Sequence, residues 1–198
     1  MKKTMLYLLI TLTLASCKPA RLEENVEAAE QNNKPYLLVS KFYDNITFYN
    51  GLGETYSFDA AFGILSRLGT KKERGDKKTP EGEYYICDKR PSSSGFNKFM
   101  QINYPNPQDA KRGLEQGLIN EYQYDSIRFA HRKGICPPSN TNLGGNIGIH
   151  GEKHIKIGKL TFKIGSFVDW TEGCIAIDNP NIEILYRRVP ENTPITIK

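Results

Sequence analysis

His150 and Cys174 are the two residues whose types and surroundings best fit covalent chemistry. Each has a glycine beside it, and each lies in a short β-like run, I-G-I-H-G for the histidine and G-C-I-A-I for the cysteine. A thiol attacks only as the thiolate, so a cysteine with an ordinary pKa of about 8.5 needs a neighbouring base at neutral pH. The interval between the two residues allows the His150 strand to run out, cross over and return beside a strand that begins at Cys174. The pair therefore predicts a thiol nucleophile with an imidazole base, a combination suited to accepting an acyl group.

Two other interpretations of these residues are open at the level of sequence. A cysteine in a β-run is often a small buried hydrophobic residue, and a histidine in such a run can be a core residue. A zinc site is the other alternative, because His154 lies four residues after His150 and the cysteines could complete the ligand set. The order H-G-E-K-H differs from the helical H-E-x-x-H, and Gly151 directly follows a β-run. We therefore expect no metal ion and no cofactor.

The first sixteen residues have the composition of a signal peptide. Lys2 and Lys3 precede an apolar run from Met5 to Leu14, which is shorter than the roughly 20 residues that a membrane-spanning helix needs. The run ends in L-A-S-C, a lipoprotein-type cleavage site that would leave Cys17 lipidated; an ordinary secretory signal is the alternative. Residues 17–34 are predicted to be the lipidated cysteine and a flexible tether. We expect a lipid-anchored protein of the cell envelope that faces the periplasm.

The charge of the chain indicates no particular macromolecular partner. The formal net charge of +5 falls to +3 without the first sixteen residues, which contain two lysines and no acidic residue. Lysine and arginine are scattered and form no stripe interleaved with aromatic residues, so nucleic acid is not an expected partner. A mild positive charge is compatible with an anionic cell-wall polymer, and solubility alone explains it equally well.

Residues 35–198 are predicted to form one domain that is mainly β with helical insertions. Its apolar segments are short and separated by Gly, Asn, Asp and Pro, which is typical of strands joined by turns. These segments are 36–42, 46–49, 57–64, 83–87, 99–104, 146–150, 160–168, 174–177 and 195–197. Two helices are expected between Pro107 and Lys133. A third is expected with Asn179 as its N-cap and Pro180 at its first position.

Cys87 and Cys136 are candidates for a disulfide. They are 49 residues apart, and a secreted protein meets an oxidising compartment in which such bonds persist. If the two cysteines pair, Cys174 is left as the odd, free thiol of the domain, which supports its interpretation as a nucleophile.

Four ordered segments of the domain carry a recognisable signature. His150-Gly151 is followed by a loop and by Gly173-Cys174-Ile175. The other segments are G-D-K-K-T-P-E-G-E-Y at 75–84, Y-P-N with Asp109 at 104–109, and L-G-G at 143–145. In these segments the chain resembles the L,D-transpeptidase catalytic domain, also called the YkuD domain. The resemblance covers roughly residues 36–198 and is greatest to the branch with D-W-T-x-G-C-I-A.

The resemblance implies a role for each residue near the cysteine. Cys174 would be the nucleophile and His150 its base, with the carbonyl of Gly151 orienting the imidazole. Gly173, together with the Cys174 N–H, would supply oxyanion donors. The implied fold is a β-barrel or sandwich with a cleft over Cys174.

The chain departs from the commonest family motif at two places. Thr171-Glu172 stands where that motif has Ser-His or Ser-Lys, and Ala176 stands where it has arginine. We expect Glu172 to face solvent or to meet a substrate ammonium group, and we expect Trp170 and Thr171 to line the cleft. The missing arginine leaves recognition of a substrate carboxylate unassigned. Its candidates on the sequence are Arg128, Arg132 and Lys133.

The function implied is a cysteine acyltransferase that acts on peptidoglycan stem peptides. It would attack the carbonyl of an L-centre residue, release the terminal D-amino acid and pass the acyl group from a thioester to an amine. Transfer to water, which would make the protein an L,D-carboxypeptidase or hydrolase, is the alternative. A catalytically silent wall-binding lipoprotein is the alternative of another class.

Overall fold

The computed structural model of the protein describes residues 33–92, 97–157, 160–166 and 168–198. For residues 154–157 and 160–164 it describes the backbone alone. The predicted signal peptide, Cys17 and nearly all of the predicted tether lie outside these ranges, so cleavage and lipidation stay predictions.

The domain is mainly β, as the turn-separated apolar segments predict. Its strands are β1 (Tyr36–Ser40), β2 (Asn45–Tyr49), β3 (Thr55–Asp59), β4 (Gly82–Pro91), β5 (Lys98–Ile102), β6 (Gly148–His150), β7 (Lys153–Ile157), β8 (Leu160–Ile164), β9 (Ile175–Ala176) and β10 (Pro194–Ile197). Eight of them form one sheet in the order β3-β2-β1-β10-β4-β5-β6-β9, and β7 pairs with β8 separately.

The large sheet curls until its two ends approach each other. Beyond β3 the chain makes isolated bridges from Ala61 to Ala176 and from Gly63 to Thr171, next to β9 at the opposite end of the strand order. The inner face of the curl is apolar because side chains alternate along each strand; in β2, for example, Ile46 and Phe48 are buried. The result is a half-barrel with its core inside.

Three α-helices lie within the described residues: α1 (Pro107–Glu115), α2 (Glu121–Lys133) and α3 (Asn179–Arg188). The first two begin at capping boxes, Asn106 with Asp109 and Asn120 with Gln123. The Y-P-N-x-x-D segment is therefore a helix start. The predicted N-cap of the third helix is one residue too late, since the N-cap is Asp178. Pro180 fits there because the N–H groups of a first turn have no partner within the helix.

Several predicted strand limits are wrong. The segment 36–42 ends at Ser40, and the segment 83–87 continues to Pro91. The segment 57–64 ends at Asp59, because the chain then crosses towards β9 and forms a 3₁₀ turn at Ser66–Leu68. The segment 160–168 ends at Ile164, and 146–150 begins only at Gly148. Strand β7 was not predicted, since its lysines interrupt any apolar run.

Cys87 and Cys136 form a disulfide, with their Cα atoms 5.2 Å apart. The bond joins β4, at a register irregularity, to the segment that follows α2. Cys174 is free. Within the described ranges, no helix is both long and apolar enough to cross a membrane.

Candidate active site

Neighbouring parallel strands bring His150 and Cys174 to one face of the sheet. Ile149 pairs with Ile175 and His150 with Ala176 in the register between β6 and β9, so Cys174 lies one residue before β9. The two isoleucines are buried in the core. Because side chains alternate along a strand, His150 and Cys174 share the opposite face. Both line a cavity of about 470 Å³.

The thiol of Cys174 lines this cavity, and the residue is half-buried. It donates a hydrogen bond to the carbonyl oxygen of Asn146 at 3.5 Å. Burial raises the pKa of the thiol to about 11, while a hydrogen bond from the Gly148 backbone and the charge of Lys71 act in the opposite direction. The thiol therefore carries its proton at neutral pH and needs a base to become a nucleophile.

His150 is held in the orientation that such a base requires. Its side chain is 3% exposed, and Nδ1 lies 2.7 Å from the carbonyl oxygen of Gly151. A carbonyl can only accept, so Nδ1 carries the hydrogen and Nε2 is left with its lone pair. Burial lowers the pKa of His150, although the Gly151 contact opposes this. The imidazole is neutral at neutral pH.

Two aromatic rings fix the plane of the His150 imidazole. Phe99, from β5, stacks on it with ring centroids 6.5 Å apart and planes 14° apart. Trp170 meets it edge-on at 5.6 Å and 69°. The indole Nε1–H of Trp170 donates to the carbonyl of Gly165 at 2.9 Å, so the ring is itself held. Trp170 lines the cavity, as expected.

The segment from Thr171 to Cys174 is a tight turn closed by its own polar groups. The Thr171 hydroxyl donates to the Cys174 carbonyl at 2.7 Å and accepts from the Gly173 N–H at 3.1 Å. Glycine is required at 173 because φ is +130° and a Cβ would lie 2.6 Å from the carbonyl oxygen of Lys78.

This turn bears on two expectations. The Gly173 N–H donates to Thr171, so it is not a free oxyanion donor. Thr171 lines the cavity, and its hydroxyl also bonds within the turn that presents Cys174. The Cys174 N–H stays the predicted donor.

Glu172 lines both cavities that reach Cys174 and is open to solvent. Its side chain is 76% exposed and forms an ion pair with Lys77 at 3.8 Å. The carboxylate faces solvent, which is the first of its two expected positions, and contact with a substrate ammonium group stays a prediction. Its cost to the thiolate is small because water screens it.

The cations beside Cys174 differ from those expected. Arg128 and Arg132, with Lys133 on the same helix α2, are remote; the two arginines line a separate cavity that includes Cys136. Arg90 and Lys153 line the 470 Å³ cavity with Cys174. Lys71 and Arg74 line a second cavity of about 250 Å³, which also reaches Cys174. No motif joins these four residues, because they come from separate segments of the chain.

Lys71 and Asp76 organise the loop below the second cavity. Lys71 is nearly buried and donates to Asp76 at 2.8 Å and to the Glu73 carbonyl at 3.0 Å. Asp76 also accepts the N–H groups of Lys72, Glu73 and Lys78. The G-D-K-K-T-P-E-G segment is thus held by internal bonds, and its Lys78 carbonyl presses on Gly173.

A second buried carboxylate fastens the histidine loop to α3. Glu152 is 2% exposed, and its Oε1 accepts the Asn179 N–H at 3.0 Å. The Glu152 N–H donates to the Asn179 side chain at 3.2 Å. Negative charge is favourable at the start of a helix. This contact was not predicted, because nothing in the sequence relates residue 152 to a helix that begins at residue 179.

The alternative of a zinc site finds no support in the described side chains. Among them, no group of three or more His, Cys, Asp or Glu residues is placed to hold a metal ion. The side chain of His154, the second histidine of the proposed pair, lies outside that part of the structure.

Both the sequence and the fold are similar to those of known proteins. Residues 34–197 match the profile of the L,D-transpeptidase catalytic domain, YkuD. Two structures of Pgp2, a helical cell shape determining protein from Campylobacter jejuni, are similar to this one. A mutant form is 20% identical, with 83% of this chain and 46% of that chain covered and a TM-score of 0.52. The other is 18% identical, with 87% and 54% covered and a TM-score of 0.50.

A further structure, an L,D-transpeptidase from Mycobacterium smegmatis, is 13% identical, with 83% and 58% covered and a TM-score of 0.44. The chain spans about half the length of these solved proteins. At their low identities, the two Pgp2 structures show a common fold and no more. A search of curated protein sequences returned no significant match.

Proposed function

Because this chain belongs to the L,D-transpeptidase catalytic domain (YkuD) family, we propose that it is a cysteine acyltransferase of peptidoglycan stem peptides. The observation that carries the proposal is the arrangement of His150 and Cys174. They share one sheet face and one cavity, and the Gly151 carbonyl leaves the imidazole Nε2 as the basic atom.

The acylation step follows from these protonation states. Nε2 of His150 accepts the Cys174 proton as the sulfur attacks the carbonyl carbon of an L-centre residue. The negative charge moves to the carbonyl oxygen, which accepts a hydrogen bond from the Cys174 N–H. When the C–N bond breaks, the leaving amine takes the proton from Nε2. A thioester on Cys174 and a free D-amino acid result.

The second step repeats the first in reverse. An acceptor amine enters where the D-residue left, loses a proton to Nε2 and attacks the thioester carbon. The C–S bond breaks, and Cys174 regains its proton from His150. The thiol and the imidazole are both neutral at rest. Each step therefore begins and ends without a thiolate–imidazolium ion pair.

Product analysis tests the proposal. The protein is incubated with a tetrapeptide stem and an amine acceptor, and the products are separated and weighed by mass spectrometry. We expect release of the terminal D-residue and a cross-linked product, both lost in Cys174→Ala. In His150→Gln the rate should fall by about 10²- to 10⁴-fold. The matched control is His131→Gln, which changes a half-buried histidine bonded to Asn103 outside the cavity.

The other outcomes separate the alternatives. A shortened peptide without a cross-link identifies water as the acceptor and the protein as an L,D-carboxypeptidase or hydrolase. An unchanged peptide and no adduct on Cys174 would leave a wall-binding protein without catalytic function.

We further propose that the protein is a lipoprotein that faces the periplasm. The L-A-S-C box supports this proposal, and the Cys87–Cys136 disulfide suits an oxidising compartment. Metabolic labelling with palmitate should mark the wild-type protein and leave Cys17→Ser unlabelled; equal labelling of both would refute the anchor.

A further inference from the structure

A row of four residues crosses the sheet at the level of the catalytic histidine. Arg90 pairs with Phe99 in the register of β4 and β5, Phe99 pairs with His150 in that of β5 and β6, and His150 pairs with Ala176 in that of β6 and β9. Directly paired residues project from the same face of a sheet. Arg90 therefore shares the cavity face with His150, two strands away.

Side-chain contacts continue along this row. The Arg90 guanidinium carbon lies 4.7 Å from the centre of the Phe99 ring, and that ring stacks on His150 at 6.5 Å. Together these spacings limit the guanidinium-to-imidazole distance to no more than about 11 Å. Arg90, Phe99 and His150 all line the cavity of Cys174. The stack holds a permanent cation at a fixed distance from the base.

The described bonds of Arg90 leave part of the guanidinium for a ligand. Nη1 donates to the Gln101 side chain at 3.0 Å and forms a close ion pair with Asp88. Both bonds are made by Nη1, which is one of the three guanidinium nitrogens. Guanidinium groups bind carboxylates through two parallel N–H···O bonds, which adds geometric selectivity that a lysine ammonium lacks.

The chemistry proposed above determines where the substrate carboxylate must lie. The leaving nitrogen takes its proton from His150, so it sits about 3 Å from Nε2. In a terminal amino acid the carboxylate carbon is about 2.5 Å from that nitrogen, and a paired guanidinium carbon lies about 4 Å further on. These lengths span the interval between the imidazole and Arg90.

We propose that Arg90 binds the α-carboxylate of the terminal D-residue and, in the second step, the carboxylate next to an acceptor amine. This inference rests on the proposed acyl transfer. It assigns to Arg90, at one end of the row, the carboxylate recognition that is unassigned because this chain has Ala176, at the other end, where the commonest family motif has arginine. The site then selects leaving and attacking groups that carry a carboxylate on the carbon beside the nitrogen.

The test compares two donors that differ only in this charge, a tetrapeptide stem with a free terminal carboxylate and the same peptide ending in an amide. The measurement is the initial rate of thioester formation on Cys174 at subsaturating peptide. A charged hydrogen bond corresponds to a preference of about 10- to 100-fold for the acid in the wild-type protein. Arg90→Gln should lose the preference because its rate on the acid falls, and Arg90→Lys should keep part of it.

Arg188→Gln is the matched control. Arg188 also stacks on an aromatic ring, that of Tyr56 at 4.8 Å, and pairs with a carboxylate, that of Glu54 at 3.7 Å. It lies outside the cavity, so its variant should show the wild-type preference. Lys153→Gln tests the other cation that lines the cavity.

Three results would overturn the assignment of Arg90 while the proposed function stands: equal wild-type rates on acid and amide, an equal proportional loss on both peptides in Arg90→Gln, or loss of the preference in Lys153→Gln alone. No thioester with either peptide in the wild-type protein would refute the proposed function, and this inference with it.

Discussion

At Cys174 and His150, burial favours the uncharged form of both side chains. The thiol pKa is raised to about 11 and the imidazole pKa is lowered, so an ion pair forms only when the sulfur attacks. Both residues were predictable, because a reactive residue type next to a glycine can be recognised from the sequence alone. The sequence could not show that the polar groups of Thr171 and Gly173 bond within their own turn, or that Arg90 reaches the same face.

The raised thiol pKa predicts slow alkylation at neutral pH. A thiol stays protonated until the pH approaches its pKa, so the rate of Cys174 alkylation by iodoacetamide should keep rising up to about pH 11. At pH 7.5 it should be below that of a cysteine in a short peptide. Intact-mass time courses measure this, with Cys174→Ala as the blank. A plateau that begins near neutral pH would show a resting thiolate and contradict the account.

At the scale of elements, helix ends that depend on local capping residues can be predicted from the sequence, and strand ends that depend on packing against distant residues cannot. Helices α1 and α2 were predictable because their caps and apolar spacing are local. The ends of the strands were less so, because they depend on where the chain leaves the sheet for a distant partner, as after Asp59. The loop of Lys71 and Asp76 shows the same limit, since only its three-dimensional contacts reveal that it supports the turn before Cys174.

Asp76→Asn should lower the free energy of unfolding and make it less dependent on pH in the acid range. The exchange leaves Lys71 almost buried without its carboxylate, at a cost of about 2–4 kcal/mol, somewhat less than breaking a fully buried pair because Asp76 retains some exposure. Burial raises the pKa of Asp76, but bonds from Lys71 and the backbone outweigh this and leave it below its usual value. The stabilisation is therefore present above about pH 4 and is lost as the pH falls through the lowered pKa.

Urea unfolding at pH 7 and at pH 3 measures both effects. The difference between wild type and Asp76→Asn should be large at pH 7 and smaller at pH 3. Asp125→Asn, which alters an exposed pair with Arg128, should change the free energy of unfolding by no more than about 0.5 kcal/mol. Equal values for the two variants would show that the Lys71–Asp76 pair does not hold the loop.

At the scale of the whole molecule, the disulfide and the closure of the sheet complete the fold. The motifs indicated the family and a mainly β domain, but the bridges from Ala61 and Gly63 to the opposite end of the strand order carry no sequence signal. The Cys87–Cys136 bond joins the long β4 strand to the helical pair. The sequence alone left open whether Cys87 and Cys136 form this bond.

Removal of this disulfide should lower stability and spare the chemistry. Closing a loop of 49 residues restricts the unfolded chain by about 4 kcal/mol in the chain-entropy model. The double variant Cys87→Ala/Cys136→Ala should lose about 2–4 kcal/mol in urea unfolding. Under conditions where it is folded, it should still form a thioester on Cys174. An unchanged free energy of unfolding would contradict the structural role of the bond.

The central claim is that Cys174 becomes acylated by a stem peptide, and an acid-quenched acyl-enzyme tests it most directly. The protein is mixed with a tetrapeptide stem, quenched within seconds and digested, and the peptide containing Cys174 is weighed. The account predicts a mass increase equal to the mass of the tetrapeptide minus the mass of the free D-amino acid that is released. The adduct should be cleaved by hydroxylamine and absent from Cys174→Ala. Release of the D-residue at the same rate from the wild-type protein and from Cys174→Ala would contradict it.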